Sequence, residues 1–403
     1  MKGYLSLLSN RNFVLLWGGQ AISQLGDSIF YVAFIWMVVE LTGSALAIGS
    51  LLIAIQIPAL MCQVISGVVV DRYDRQRIAL GADLLRGLMV AGLALVLLAG
   101  RLELWQLYML AIAFGIVGAF FGPAMRALLP DLVQPEQLPA ANGLRTATRE
   151  LMEILGPALG GLLLAATGAW TISALNALSF FIGALGLGLI HSSASITKER
   201  APKGRQALWR DFVGGFSYLR AHQAITALLA LAAVLNCVSA PIGTLLPLFV
   251  RQSLQAGPDS YGLLLSSAAG GMVVGSLFVG LVRLERKGLF LIGLVILTGL
   301  LFSGLTSARD LSVALGMMGL IGALNAMANV MVEALLQSVV ADEYRGRIFA
   351  LATLIAGSLQ PLAWGLVGVL ADWFGVVTIM LASGLLTSVV GMVGLFNKDL
   401  RCL

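Results

Sequence analysis

Apolar runs long enough to cross a bilayer follow one another through nearly the whole chain, and the short segments between them are basic at every second turn. A transmembrane helix needs about 20 apolar residues. Cutting the chain at its charged and turn-forming clusters gives twelve such runs, near 12–40, 44–70, 78–100, 104–127, 146–168, 170–190, 223–250, 259–282, 289–306, 311–337, 346–370 and 376–396. Charged residues make up 11% of the chain and the mean hydropathy is +0.95, so hydrocarbon must be the solvent for most side chains and a soluble fold is excluded. The runs are too long for the strands of a membrane barrel and lack their alternating polar face. The expected fold is all-α, with twelve transmembrane helices.

With both termini on one side, Lys2, Arg11, Arg72, Arg75, Arg77, Arg126, Arg145, Arg149, the cations from Lys198 to Arg220, Arg283, Arg286, Lys287, Arg345, Arg347, Lys398 and Arg401 share that side. The opposite loops hold only Arg101, Arg251 and Arg309. The positive-inside bias makes the basic side cytoplasmic. The net charge of +5 is therefore a topology signal; cations divided among short loops form no continuous groove, and no nucleic-acid partner is expected. The first run is too long for a signal peptide, carries Asp27 and lacks a small-residue cleavage site, so a retained helix is expected. Cys62 and Cys237 fall within runs and Cys402 in the tail, a spacing that suits neither a disulfide framework nor a metal site. No metal and no cofactor are expected.

The longest hydrophilic stretch, His191 to Gly204, is followed by an amphipathic segment with Leu208, Trp209, Phe212, Val213, Phe216 and Leu219 on one face. Such a segment suits a helix lying at the cytoplasmic interface. The chain thus divides into a six-helix bundle at 1–190, a linker at 191–222 and a second bundle at 223–403. One shift of the sequence lays Leu128 to Leu144 over Leu335 to Leu351, with Arg126 on Glu333 and Glu136 on Glu343. A nearly equal shift lays Leu41 to Gly49 over Leu254 to Gly262. Two segments at nearly one offset indicate a duplicated unit, hence two pseudo-symmetric bundles with a cavity between them.

Within the first run Trp17, Gln20, Gln24, Asp27, Tyr31 and Phe34 recur at spacings of three and four and share one helical face. An ionisable group at the depth of Asp27 costs about 2.5–3.5 kcal/mol on insertion scales. It must meet a structural partner on a neighbouring helix, or serve a substrate or proton. Glu153, beside Arg149 and Glu150, is the second candidate, with a solvated helix start as the competing reading. Gln56, Asn176, Asn236, Asn325 and Asn329, with Gln63, are intramembrane amides. Each alone is accounted for by helix packing through hydrogen bonds worth about 0.6 kcal/mol; only their convergence would make a site.

The loop after the second run reads Gly67-Val-Val-Val-Asp71-Arg72-Tyr-Asp74-Arg75-Gln-Arg77. Gly67 permits close helix contact, Asp71 can cap a helix or pair with Arg, and Arg72, Arg75 and Arg77 can bridge carboxylates. Asp83 and Arg86, three apart, can pair on one face; with Arg126 and Glu333 they would extend a cytoplasmic charge latch. Gly156-Pro157-Ala-Leu-Gly160-Gly161 combines glycines that allow helices to approach with a proline that removes a backbone hydrogen bond.

The loop resembles the Gly-x-x-x-Asp-Arg signature of the major facilitator superfamily, and the resemblance extends over all twelve runs. The Gly-Pro stretch resembles a motif of the superfamily's exporters. Trp17-Gly-Gly-Gln20, Leu41-Thr-Gly-Ser44, Asp71-Arg-Tyr-Asp-Arg75, Gly81-Ala-Asp83, Pro135-Glu-Gln-Leu138, Ala141-Asn142-Gly143 and Gly346-Arg347 are similar to the macrolide-efflux-like branch. The chain departs from the superfamily pattern at Asp74, where Gly is usual, and it has no Arg between Trp105 and Pro123, where many proton-coupled exporters carry one.

The resemblance implies a secondary exporter of amphipathic or lipophilic small molecules in a bacterial cytoplasmic (inner) membrane, working by alternating access. Its partners would be the substrate, the lipid bilayer and protons. Asp27 is the first choice for proton exchange or for attracting a cationic ligand, Glu153 the second. Two other readings are export of one endogenous metabolite, such as a siderophore or lipid-like molecule, and a non-transporting membrane receptor or assembly partner. The chain has no Walker-type Gly-Lys-Ser/Thr loop and no nucleophile–base pair, so neither ATP-driven pumping nor enzymatic activity is expected.

Overall fold

The computed structural model describes residues 2–191, 223–281, 286–340 and 342–396. The amphipathic segment at 208–220, the cations of 198–220, Arg283, Lys398, Arg401 and Cys402 lie outside the described residues, as do the side chains of Arg345 and Arg347. A short helix, α1 (Lys2–Ser9), precedes α2 (Arg11–Thr42), α3 (Ala45–Arg72), α4 (Arg75–Leu98), α5 (Leu104–Leu132), α6 (Leu138–Thr167) and α7 (Ala169–Gly188). Then come α8 (Gln223–Gln252), α9 (Pro258–Leu281), α10 (Lys287–Leu305), α11 (Leu311–Val339), α12 (Asp342–Phe374) and α13 (Val376–Gly394). Ten of these are long and apolar enough to cross a membrane. The other two long helices, α8 and α12, stand where the sequence places the seventh and eleventh runs.

Local chemistry sets the helix ends. Asn10, Ser44, Asp74 and Asp310 each accept a backbone N–H of the first turn that follows, satisfying donors that an α-helix leaves free. Gly43 ends α2 in the left-handed region, φ 62°, with its N–H on the Val39 carbonyl, which allows α3 to start two residues later. Gly168 and Gly375, φ 83° and 89°, occupy matching turns before α7 and α13. Among the described residues seven prolines lie beyond the first turn of a helix, Pro58, Pro123, Pro130, Pro157, Pro241, Pro247 and Pro361; neighbouring helices can re-satisfy the backbone groups they free.

The chain forms two compact units, one gathering α1–α7 together with residues 256–266, the other α8, the rest of α9 and α10–α13. Their internal packing repeats. Helix α2 packs on α6 and α7 as α8 packs on α12 and α13, and α4 packs on α5 and α7 as α10 packs on α11 and α13. Gly115 of α5 meets the Ile55 backbone of α3, and Gly322 of α11 meets the Ala268 backbone of α9. Glycine contacts of this kind bring helices close where lipid supplies no hydrophobic driving force. One core is built on Phe13, Leu16, Met125 and Leu128, the other on Leu228, Ile292, Met331 and Leu335. The exposed apolar side chains, Leu88, Leu95 and Leu185 among them, suit an acyl-chain solvent.

Candidate functional site

Helix α2 carries Asp27 on its polar face, and Asn176 of α7 donates to its Oδ1 at 3.4 Å. Asn176 is itself held by Ser179, whose hydroxyl lies 3.0 Å from its Oδ1 and donates to its carbonyl at 2.8 Å. The two helices meet this closely because residue 26 is glycine: a Cβ there would stand 2.6 Å from Asn176 Oδ1.

Asp83 and Arg86 of α4 share this environment. Both interact electrostatically with Asp27, and Asp83 lies about two turns and Arg86 about three turns inside α4. This depth separates them from the cytoplasmic latch with which the sequence groups them. Asp83 is fully buried, neither of its carboxylate oxygens is hydrogen-bonded, and its closest approach to Arg86 is 3.8 Å. The Arg86 guanidinium stacks on the Phe121 ring at 4.2 Å and lies 5.7 Å from that of Phe180, leaving Nε without a partner. Aromatic faces attract a desolvated cation, so the arginine divides itself between π-clouds and carboxylates. Two carboxylates and one cation therefore lie within electrostatic reach of one another on α2 and α4, Asp83 and Arg86 buried and Asp27 half-buried.

Beyond Asp27 an aromatic wall runs from Phe34 through Phe30 and Phe114 to Phe180, with centroid separations of 5.5, 6.4 and 6.0 Å. Of these rings the sequence reading singled out only Phe34. The signal for Phe30 was its place three residues from Asp27, and for Phe114 and Phe121 their seven-residue spacing on one face of α5. On the same face of α2, Gln20 is buried with its Nε2 unpartnered, Gln24 is half-buried, and Trp17 donates to Thr148 at 2.9 Å. Tyr31 is partly exposed beside the buried Tyr261, whose ring stacks on Trp36 at 6.1 Å.

The loop between α3 and α4 acts locally. Asp74 caps α4, and Arg75 bridges to Asp131 at 2.7 Å and to the Ala127 carbonyl at 3.2 Å, tying α4 to α5 within one unit. Arg77 lies 3.8 Å from Asp74. Asp71 and Arg72 are exposed, with no ion pair among the described residues. Gly67 faces open space, with nothing within 4 Å of a notional Cβ, so the close helix contact expected there is absent among the described residues. Arg126 is exposed and lines a cavity of about 220 Å³ with Gln56 and Gln63. Glu333, also exposed, accepts from Gln337 at 3.3 Å. Because the Arg75–Asp131 bridge is partly solvated, Arg75→Ala is expected to cost only about 0.5–1 kcal/mol. A double-mutant cycle with Asp131→Ala in the purified protein checks the coupling.

Glu153 sits on the flank of α6 with its side chain 56% exposed, 3.6 Å from Arg149, which also pairs with Glu150 at 2.8 Å. The next turns carry the Gly-Pro stretch, all four named residues of which are buried. Gly156 meets the Ser28 side chain, Gly160 the Ile29 backbone, and Gly161 the backbone of Pro258 and Asp259. Just after Pro157, the Ala158 N–H donates to Ser266 Oγ at 2.8 Å. The stretch thus seats α6 against α2 and against the first turns of α9.

In the other unit, Asn236, Asn325 and Asn329 converge on a cavity of about 290 Å³, shared with Thr298, Met272 and Met318. This brings together three of the amides named from the sequence. Asn329 donates to Asn325 Oδ1 at 2.8 Å, and Asn236 to the Ala232 carbonyl at 2.9 Å.

Residues 2–401 match the family profile described as "Transmembrane secretion effector", of the major facilitator type. Macrolide efflux protein A of Streptococcus pyogenes is 29% identical over 401 residues, covering 96% of each chain. The multidrug efflux pump Tap of Mycobacterium tuberculosis is 26% identical over 383 residues, 93% of this chain and 91% of Tap. Among solved structures, a bacterial homologue of the iron transporter ferroportin in an inward-facing state has a TM-score of 0.71 at 19% identity, covering 95% of this chain and 98% of that one. The nucleoside transporter NupG has a TM-score of 0.73 at 12% identity, covering 96% and 98%. These two likenesses establish the fold alone. With its full-length match, the chain belongs to the transmembrane secretion effector family of the major facilitator superfamily.

Proposed function

We propose that the protein is a secondary exporter of amphipathic small molecules that exchanges protons for substrate by alternating access in a bacterial cytoplasmic membrane, with both termini cytoplasmic. The observation that carries this reading is the cluster of Asp27, Asp83 and Arg86 beside an aromatic wall. Two carboxylates around one cation leave an uncompensated negative charge in an apolar setting. Either a proton or a cationic ligand neutralises it, and one excludes the other. A ligand that competes with a proton for the same charge is coupled to it by linkage, while the phenyl rings offer apolar contact to the rest of the molecule. The efflux roles in the names of macrolide efflux protein A and Tap support the direction of transport. Asp71 and Arg72, exposed and without ion pairs among the described residues, are the groups available to make and break contacts as the inner gate moves.

Purified protein in inside-out proteoliposomes tests this with macrolides and cationic dyes, with and without an imposed pH gradient. Accumulation that requires the gradient is the expected result. No gradient-driven movement of any compound rejects the exporter reading for that panel.

A further inference from the structure

We infer that the cavity of about 290 Å³ in the C-terminal unit is a binding site for an uncharged, hydroxylated group of the transported molecule. The inference rests on the transport reading above and deepens it.

The internal repeat shows how the cavity arose. Helices α5 and α11 each have 29 residues, and laying Leu104 on Leu311 puts Gly115 on Gly322, which make equivalent backbone contacts in their own units. The same register puts Phe121 on Ala328, Gly118 on Asn325 and Gly122 on Asn329. Laying Arg75, which begins α4, on Lys287, which begins α10, puts Asp83 on Val295 and Arg86 on Thr298. It also puts Gly87 on Gly299, each of which faces the last helix of its unit. Laying Gly168 on Gly375, the matching left-handed turns, puts Phe180 on Thr387. The three groups stacked together in the N-terminal unit, Arg86, Phe121 and Phe180, thus have as counterparts Thr298, Ala328 and Thr387. The repeat has exchanged a charged, filled site for a neutral one with room in it.

The polar inventory of that room indicates its ligand. Thr298 donates to the Leu294 carbonyl, Asn236 to the Ala232 carbonyl and Asn329 to Asn325. What remains are four amide N–H donors, two on Asn325 and one each on Asn236 and Asn329, beside acceptor oxygens on Asn236, Asn329 and Thr298. Among the described residues no ionisable side chain lines the cavity, so an ion would enter without a counter-charge at high desolvation cost. Free donors and acceptors side by side call for a ligand group that both donates and accepts, as an uncharged hydroxyl does, and Met272, Met318 and Ile321 suit the apolar faces of a hydroxylated ring. The volume lies near the lower end of small-molecule pockets, which matches one ring-sized group of a larger substrate.

Saturable binding of chloramphenicol and salicin, both uncharged and hydroxylated, and of ethidium, a fixed cation, is measured on the full-length protein in nanodiscs. Wild type is compared with Thr298→Val, Asn325→Leu and Ala328→Phe. Affinity for at least one neutral probe is expected to fall about tenfold in Asn325→Leu and further in Ala328→Phe, which refills the space, while ethidium affinity stays within about twofold. Thr298→Val keeps the side-chain volume and covers the case in which Ala328→Phe does not fold. Absence of neutral-probe binding to wild type, retention of that binding in the folded variants, or an equal loss for ethidium overturns the inference. Gradient-driven ethidium transport, read in parallel, separates the two proposals: transport without neutral-probe binding sinks this site alone, and variant-sensitive binding without transport sinks the exporter reading alone.

Discussion

Arg86→Leu is expected to lower the stability of the purified protein by about 3–5 kcal/mol, the cost of stranding a buried charge by removing its partner. Arg86 is 9% exposed as a residue, and its guanidinium stands 3.8 Å from Asp83 and interacts electrostatically with Asp27. Adding Asp83→Asn to the variant should return part of the loss, because one of the two stranded carboxylates becomes a neutral amide of nearly the same shape. Arg86→Lys should fall between the two, since the ammonium keeps the charge but gives up the planar stacking on Phe121. Thermal melts of the four proteins in one detergent decide the matter. If Arg86→Leu melts with the wild type, the cation is not what makes the carboxylates tolerable.

Gly160→Leu should be nearly as damaging, at about 3 kcal/mol, for a steric reason. A Cβ at residue 160 would stand 2.6 Å from the Ile29 carbonyl oxygen and 3.0 Å from its Cα. Both are backbone atoms of α2 and cannot rotate away, so the leucine would have to push α6 off the helix that carries Asp27. Gly67→Leu is the control. Gly67 is exposed and faces open space, so its replacement is expected to change stability by no more than about 0.5 kcal/mol. Equal losses for the two variants would mean that the α6–α2 contact is not the close one described.

The spans were legible because solvent preference leaves a long-range mark: apolar runs and basic loops alternate whatever the details of packing. The polar face of α2 was legible for the same reason, as a periodicity of three and four. Depth was harder to read. Asp83 and Arg86 stand three apart in a helix that begins amid loop cations, and their spacing alone suits a surface pair as well as a buried one; the α7 residues that enclose them come from the far end of the first half. Gly67 shows the converse case, a glycine whose motif suggested contact where the described residues offer none. The cavity around Asn325 was half legible. Its amides stand out in an apolar run, but the space between them exists because Ala328 and Thr298 are small, and no single residue announces an empty volume.

Gradient-driven uptake of a cationic dye into inside-out proteoliposomes, with wild type and Asp27→Asn side by side, tests the proposed coupling of proton movement to substrate export through Asp27. With that coupling, an imposed pH gradient is expected to drive uptake by the wild type, and the folded Asn variant to lose it while still binding the dye. Undiminished gradient-driven uptake by Asp27→Asn would contradict it.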